Sequence, residues 1–402
     1  MSIFVEPKKE LPIYGKFDTV VVGGGFAGVS AALAAARGGN KVLICEREYM
    51  LGGLGTAGLV TIYLPLCDGC GHQVSFGIAE ELLRVSISEG FENEYPKEWL
   101  EEGSLDERCR HRFRVRYNAQ MCAILFEKLL LQNGVELLYG TAVCDASVSN
   151  GRITHLIIEN KGGRSAVEAG NVIDCSGDAD VCKLSGENTA LYGPGNILAG
   201  WYYYLKDGQY NLQMVGACDI PADEDKKARH MADVGNNRYP GLGGKELSRQ
   251  VIDSHDATYR HFMRNGKLND QHMLATMASI PQVRMTRRLD SGFAMDILHD
   301  RTYFADSVGL FANWKKRGPV YELSYSALHG SKVKNLAVAG RCISATDAMW
   351  DVTRVIPVCA VSGEAVGTAA ALNQDFDSVD ISALQNKLRQ NGVRIHIDEV
   401  LE

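Results

Sequence analysis

The sequence predicts an α/β fold, a parallel sheet wound through helices with a second unit set into it. Three observations carry that expectation. A β-branched run, Val20-Val21-Val22, ends in a glycine cluster, Gly23-x-Gly25-x-x-Gly28, and an alanine-rich helical stretch follows at once. Two further segments, Asn171 to Asp180 and Lys334 to Arg341, repeat the pattern of a strand that ends in a glycine turn. Between them, from about Thr189 to Ser279, the βα rhythm is lost and polar and aromatic residues dominate.

The glycine spacing has a physical reading. Gly23 permits a tight turn out of a strand, and Gly25 lacks a Cβ, so a pyrophosphate can approach the backbone. Gly28 lets the helix lie close to the sheet. The free N–H groups and positive dipole end of that helix then face the phosphates. The valine run reads as a buried parallel strand. Ala27 to Arg37 reads as its helix, ended by Gly38-Gly39. Lys41 to Cys45 reads as the second strand, with Glu46 at its tip, where an acid grips the two ribose hydroxyls of a dinucleotide. A plain glycine turn in another α/β domain leaves Glu46 unexplained.

Bulk properties narrow the classes further. The chain has 402 residues, 46% of them apolar, enough for one large domain or two. A net charge of −7 argues against a nucleic-acid partner. No stretch approaches the roughly 20 apolar residues of a membrane span, and Met1 to Lys16 lacks the apolar core of a signal peptide. No membrane association and a cytoplasmic location are therefore expected. Eleven scattered cysteines then read as reduced thiols, mostly buried. Only Cys67 and Cys70 are spaced as a pair, and no further ligands stand in register for a metal site.

Along the chain, Glu46 is followed by Gly52-Gly53 and then an apolar stretch, Leu59 to Leu66, that reads as a strand or a buried loop. Ile78 to Glu89 has helical spacing. Arg112, Arg114 and Arg116 alternate with Phe113 and Val115, as in a half-buried strand with a basic face. Asn118 caps a helix over Ala119 to Gln132, and Asn133-Gly134 ends it. Val135 to Tyr139 is a short strand. Ala142 to Ser149 and Arg152 to Glu159 form a hairpin around Asn150-Gly151. A further strand follows the turn at Lys161 to Arg164, ahead of the separate strand at Asn171. The insert is expected to be mostly helical and poor in sheet. It carries the aromatic run Trp201 to Tyr204, read as core and domain interface, and a strongly charged stretch, Asp219 to Arg229. Near the end, Val358 to Leu372 reads as a helix whose Gly363, Ala365 and Gly367 require something packed very close. Ser382 to Asn391 is a surface helix.

Taken in order, these motifs resemble the FAD-dependent oxidoreductases of the glutathione-reductase-like fold, relatives of the flavin subunits of heterodisulfide reductase and fumarate reductase. The resemblance runs from about residue 17 to residue 395. It implies a Rossmann-like FAD/NAD(P)-binding parallel sheet with a β-meander, plus an inserted α+β substrate or cap domain. The FAD-binding domain would comprise residues 1–60, 118–188 and 332–402, and the cap 61–117 and 189–331. Gly23, Gly25, Phe26, Ala27 and Gly28 would hold the pyrophosphate. Glu46 would bind the adenosine ribose, with Arg47 on the adenine side. Gly52, Gly53 and Leu54 would run along the pyrophosphate and isoalloxazine, and Val143 would meet the adenine through its backbone. Ser176, Gly177 and Asp178 would close over the nucleotide. Gly340 and Arg341 would approach the ribityl chain, and Arg354, Val355 and Ile356 the ring end. Many relatives carry an acid where Arg341 stands, so either backbone groups or Asp347 would take that role, or the ribityl chain would be held differently. Covalent-flavin members carry a histidine near the glycine pair. None lies between Glu46 and Gly71, which implies non-covalent FAD.

The flavin performs hydride chemistry, and the protein orients the substrate and supplies an acid or base. Candidates outside the nucleotide motifs are Tyr63, His72, Arg284, Arg287, His299 and His329, with Arg287 and His329 foremost. Three readings stay open at this point. The first is an FAD oxidoreductase acting on a small organic molecule. The second is a flavin dithiol oxidoreductase using Cys67 and Cys70. The third is a flavin subunit of a larger electron-transfer assembly with a redox partner protein. Oligomer formation is left open.

Overall fold

The valine run forms the second half of a longer strand, β1 (Ile13–Val22). Its first half is mostly exposed, Phe17 excepted, and carries no apolar run, so only the buried end is marked in the sequence. The computed structural model describes residues 3–90, 94–100, 103–216, 235, 237–264, 266, 268–372 and 375–401. The charged stretch Asp219 to Arg229 lies outside the described residues. From β1 the chain turns into α1 (Phe26–Arg37) and returns as β2 (Val42–Cys45). Next come α2 (Ile78–Ile87), α3 (Ala119–Gln132), β3 (Glu136–Leu138), and the hairpin strands β4 (Ala142–Ser149) and β5 (Arg152–Asn160). The Asn118 side chain accepts from the Met121 N–H, the expected cap. Asn150 and Gly151 both adopt positive φ, 52° and 73°, as a two-residue hairpin turn demands.

β6 (Gly163–Asp174) is one continuous strand where two were expected. Its small and polar residues hide its length. One edge pairs in parallel with β1 over nearly its whole length. The other edge forks. Its first half pairs antiparallel with β5, and its second half pairs in parallel with β10 (Leu336–Val338, numbered after the insert strands below). A buried asparagine closes the fork. Asn335 accepts from the Ile153 N–H at 2.8 Å and donates to the carbonyls of Ile153 and Gly170 at 2.9 and 2.8 Å. The resulting seven-stranded sheet runs β3-β2-β1-β6-β5-β4, with β10 beside β6. Val20, Val21 and Val22 are successive and all buried, so both faces of the sheet are covered.

The insert has more sheet than its sequence suggests. β7 (Tyr202–Lys206) is the centre of an antiparallel sheet with β8 (Gln209–Gln213) and β9 (His272–Met277), and α4 (Gly244–Arg264) lies against it. The aromatic run is therefore a strand. Tyr202 enters a small core with Leu198, Val215, Tyr239, Ala257 and Phe262. Tyr203, on the opposite face, stacks on Tyr210 with ring centroids 4.8 Å apart and meets the Thr61 hydroxyl. Elsewhere Ile62–Tyr63 pairs with Val115–Arg116, and burial alternates through Arg112 to Tyr117.

The last helices are α5 (Ile356–Leu372) and α6 (Ile381–Gln390). The glycines of α5 meet α1. A Cβ on Gly363 would lie 2.3 Å from the Ala27 carbonyl oxygen, and one on Gly367 equally close to that of Ala31. Ser30 donates to the Ala360 carbonyl at 2.6 Å, tying the two helices at their crossing. Alanine in an open helix gains up to ~1 kcal/mol over glycine. Gly363→Ala should do the reverse, costing ~1–3 kcal/mol by overpacking. Urea unfolding reads the sign, and a stabilised variant would refute the close crossing. Among the described residues no single helix is long and apolar enough to cross a membrane.

Candidate functional site

The three glycines of the cluster stand in different surroundings. Gly23 has φ of +99°, and a Cβ there would sit 2.5 Å from the Cys175 carbonyl oxygen. A Cβ on Gly28 would lie 1.9 Å from the Gly23 carbonyl oxygen. The protein itself demands both. Gly25 differs. Its φ is −67°, open to any residue, and a Cβ there would meet nothing within 4 Å. The fold does not need this glycine, and the space in front of it is clear.

That space has walls of one kind. The first turn of α1 has no side-chain cap and no acidic residue, so its N–H groups face outward unpaired by side chains. The second glycine segment lies directly against it. The Gly52 N–H donates to the Gly24 carbonyl at 2.8 Å, Gly25 and Gly52 form a parallel bridge, and a Cβ on Gly53 would stand 3.3 Å from the Gly25 Cα. Gly340, at φ +80°, closes another side. A Cβ there would be 2.8 Å from that of Ala27, and the Gly340 N–H donates to Ser362 Oγ at 3.0 Å. Phe26 contributes its backbone only, since its ring packs among Tyr63, Tyr117 and Phe126.

Glu46 stands at the tip of β2 and is 7% exposed. Its carboxyl accepts from the Gly24 N–H at 2.6 Å and the Glu48 N–H at 2.8 Å. Burial raises its pKa above the ordinary value, opposed by those two donors and by Arg47. A carboxylate has about four acceptor positions, so lone pairs remain for ribose hydroxyls. The Thr141 N–H donates to the Glu46 carbonyl at 3.0 Å, which brings Val143, near the start of edge strand β4, to this end of the sheet.

The turn after β6 forms a second polar cluster. Asp178 accepts from Thr286 Oγ1 at 2.6 Å and from Arg341 at 3.2 Å, and Arg341 also donates to the Arg284 carbonyl at 3.0 Å. Ser176 is turned inward, donating to Asp174 at 2.6 Å. Asp347, considered as a substitute acid, instead lies 3.5 Å from Arg288. Arg354 is held by Asp351, which also meets Lys315. Burial alone would raise Asp351, but the two cations keep it below the ordinary carboxylate range. Val355 and Ile356 lie where α5 begins.

The candidate acid–base groups do not converge. Arg287 donates to the Asp178 carbonyl at 2.9 Å and to the Asp180 carboxylate at 2.6 Å. His329 packs on Tyr325 with ring centroids 5.0 Å apart and has its Nδ1 3.2 Å from the Gly330 carbonyl oxygen. Tyr63 is fully buried and donates to the Ala79 carbonyl at 2.5 Å. His72 lies 3.0 Å from Asp68, and His299 accepts from the Asp296 N–H. Arg284 lies over the Trp201 ring and donates to the Gln282 carbonyl at 3.3 Å. Cys67 and Cys70 are free thiols. Burial pushes Cys67 up to about 11 and raises Cys70 as well, which favours the protonated, unreactive form.

Sequence reasoning passed over Gly24, Thr286, Ser362 and Gln282. Gly24 holds Glu46, Thr286 and Ser362 hold Asp178 and Gly340, and Gln282 donates to the Gly58 carbonyl. Gly24 lay inside the fingerprint. The other three carry no local signal, because their partners lie far away in the chain.

A glycine-lined crevice at an uncapped helix start, with a buried acid at the tip of the next strand, defines a dinucleotide-binding protein of Rossmann-like fold. The family profile described as FAD dependent oxidoreductase matches residues 18–197 and 249–388. The chain belongs to that family of enzymes, and its cofactor is FAD. A search among curated proteins finds no match. Among solved structures, the chain is similar to a geranylgeranyl bacteriochlorophyll reductase-like protein from Thermoplasma acidophilum, with 13% identity, 94% of this chain and 83% of that one covered, and a TM-score of 0.45. It is also similar to a myxobacterial chondrochloren halogenase, with 13% identity, 94% and 79% covered, and a TM-score of 0.47. A third is the anhydrotetracycline hydroxylase OxyS from Streptomyces rimosus, with 12% identity, 93% and 65% covered, and a TM-score of 0.46.

Proposed function

We propose that this protein transfers a hydride between a small organic substrate and FAD held without a covalent bond. The observation that carries the reading is the clear space before Gly25, framed by the α1 N-terminus, Gly52-Gly53 and the Glu46 carboxylate. The N–H groups of the first turn of α1 would neutralise the pyrophosphate, and Glu46 would accept from the ribose hydroxyls. Asp178 and Arg341, fixed on one another, would flank the nucleotide from the β6 side. FAD supplies the two-electron chemistry when bound. The uncapped first turn of α1 presents its backbone donors without a competing side chain. The reading needs neither Arg287 nor His329, whose side chains are engaged within the protein.

The visible absorption spectrum of the purified protein tests the proposal, repeated on the supernatant after denaturation. The expected result is an oxidised-flavin spectrum with free FAD released into the supernatant. Colour that stays with the precipitate would overturn the non-covalent part. A colourless protein that fails to take up added FAD would overturn the whole.

A further inference from the structure

A cavity of about 240 Å³ lies in the insert, walled by α4, by the chain leading into β7 and by residues 277–282. Its lining is mainly apolar, with Trp201, Val251, Met277, Ile280 and Pro281 among the contributors. Among the described residues no lysine, arginine, aspartate or glutamate lines it, and His255 is its one titratable side chain. On its α4 side, Gln250, Ser254 and Thr258 follow one another at four-residue spacing and share a helical face. Ser254 donates to the Ala199 carbonyl at 3.0 Å and Thr258 to that of Gly200 at 3.4 Å. Gln250 has no such partner. It is 1% exposed, yet among the described residues neither its Nε2 nor its Oε1 is hydrogen-bonded.

An unpaired buried carboxamide carries the full desolvation cost of each group left unsatisfied. Leucine would fill the same space without that cost. The amide makes physical sense when something entering the cavity completes its bonds. A carboxamide offers one acceptor and one donor side by side, so its best complement is an edge with the reverse pattern.

The cavity also adjoins the cofactor segment. Gln282, which lines it, donates to the Gly58 carbonyl, and the Ser279 N–H donates to the Ala57 carbonyl at 2.9 Å. Residues 57 and 58 continue directly from the Gly52–Leu54 stretch that borders the Gly25 space.

We propose that this cavity receives the substrate, and that the substrate is a compact, mainly apolar, uncharged molecule with an acceptor and an N–H or O–H donor on neighbouring atoms. Lactams and imides carry that edge. Gln250 pairs with it through two antiparallel hydrogen bonds, and the apolar wall takes the remainder. The assignment deepens the FAD hydride-transfer reading above and rests on it for the substrate's role.

The test uses the FAD-loaded protein and two probes, 2-quinolone, which has the paired edge, and N-methyl-2-quinolone, which lacks the donor. Titration calorimetry should show 2-quinolone binding at least ~10-fold more tightly, with a perturbed flavin absorption band on binding. Gln250→Leu should bring the ratio near one while FAD content is unchanged. Equal affinities in the wild type, binding of neither probe, or a preference that survives in Gln250→Leu would each overturn the proposal. Binding that leaves the flavin band unperturbed would overturn the substrate role. The wild-type comparison decides even where the variant fails to fold. If the protein takes up no FAD, the hydride-transfer reading fails, and calorimetry on the flavin-free protein still judges recognition by Gln250. If FAD binds and the probes are not distinguished, only the pocket assignment fails.

Discussion

Gly25→Val is expected to give a folded protein that no longer holds flavin. The argument rests on an asymmetry within one motif. At Gly23 and Gly28 a Cβ would collide with backbone carbonyl oxygens, at 2.5 and 1.9 Å, so substitution there disturbs folding and binding together. At Gly25 the backbone is extended and the position of the Cβ is clear to 4 Å, so the fold itself leaves room for a side chain to begin there. The added side chain fills the approach to the first N–H groups of α1. FAD affinity should fall by at least ~100-fold, about 2.7 kcal/mol. Thermal melting of the two flavin-free proteins should agree within a few degrees. A variant that retains its yellow colour would show that the pyrophosphate does not lie against Gly25.

The second large effect is a dependence of stability on pH set by Glu364, in the interior of α5. This carboxyl is 2% exposed and accepts from the Ile78 N–H at 2.8 Å, at the start of α2. Burial raises its pKa from an ordinary 4.5 to about 8; the Ile78 N–H and, more distantly, Arg37 on α1 oppose the rise, and Glu81 on α2 adds to it. Across that interval the folded protein keeps a proton that the unfolded chain has released. The stabilising contribution is therefore complete below the unfolded value and is lost as pH rises toward 8, by about 1.4 kcal/mol per pH unit. Glu364→Gln accepts the same backbone bond without a charge. Its unfolding free energy should gain on the wild type steadily from pH 5 to pH 8. Parallel curves for the two proteins would show that Glu364 is not the titrating group.

Legibility differed by the kind of signal each residue carries. The Val20 run, the Gly23-x-Gly25-x-x-Gly28 spacing and the Asn150-Gly151 turn are local, since the residue types fix backbone conformation within a few positions. The Asn118 cap and the glycine stripe of α5 were readable for the same reason. The sequence of β6 suggests two strands because Gly163, Ser165 and Gly170 interrupt its pattern, and it becomes one strand through pairing with β1 on one side and with β5 and β10 on the other. The sequence of the insert suggests little sheet because β7, β8 and β9 are short and mixed in polarity. They are held by one another and by α4, so their strand character is a tertiary product.

The candidate site divides along the same line. By itself the sequence determined the turn from β1 into α1 and the acid at the tip of β2, because a glycine turn, a helix start and a strand-end acid form one contiguous unit with one steric logic. The tertiary structure alone decided what surrounds that unit. It set Arg341 on Asp178, turned Arg287 to Asp180 and Arg354 to Asp351, brought Gly340 against Ala27, and enclosed Gln250 without a partner. Each of these depends on segments remote in sequence, and the pairing of a charge or the burial of an amide is a property of the neighbours that folding supplies.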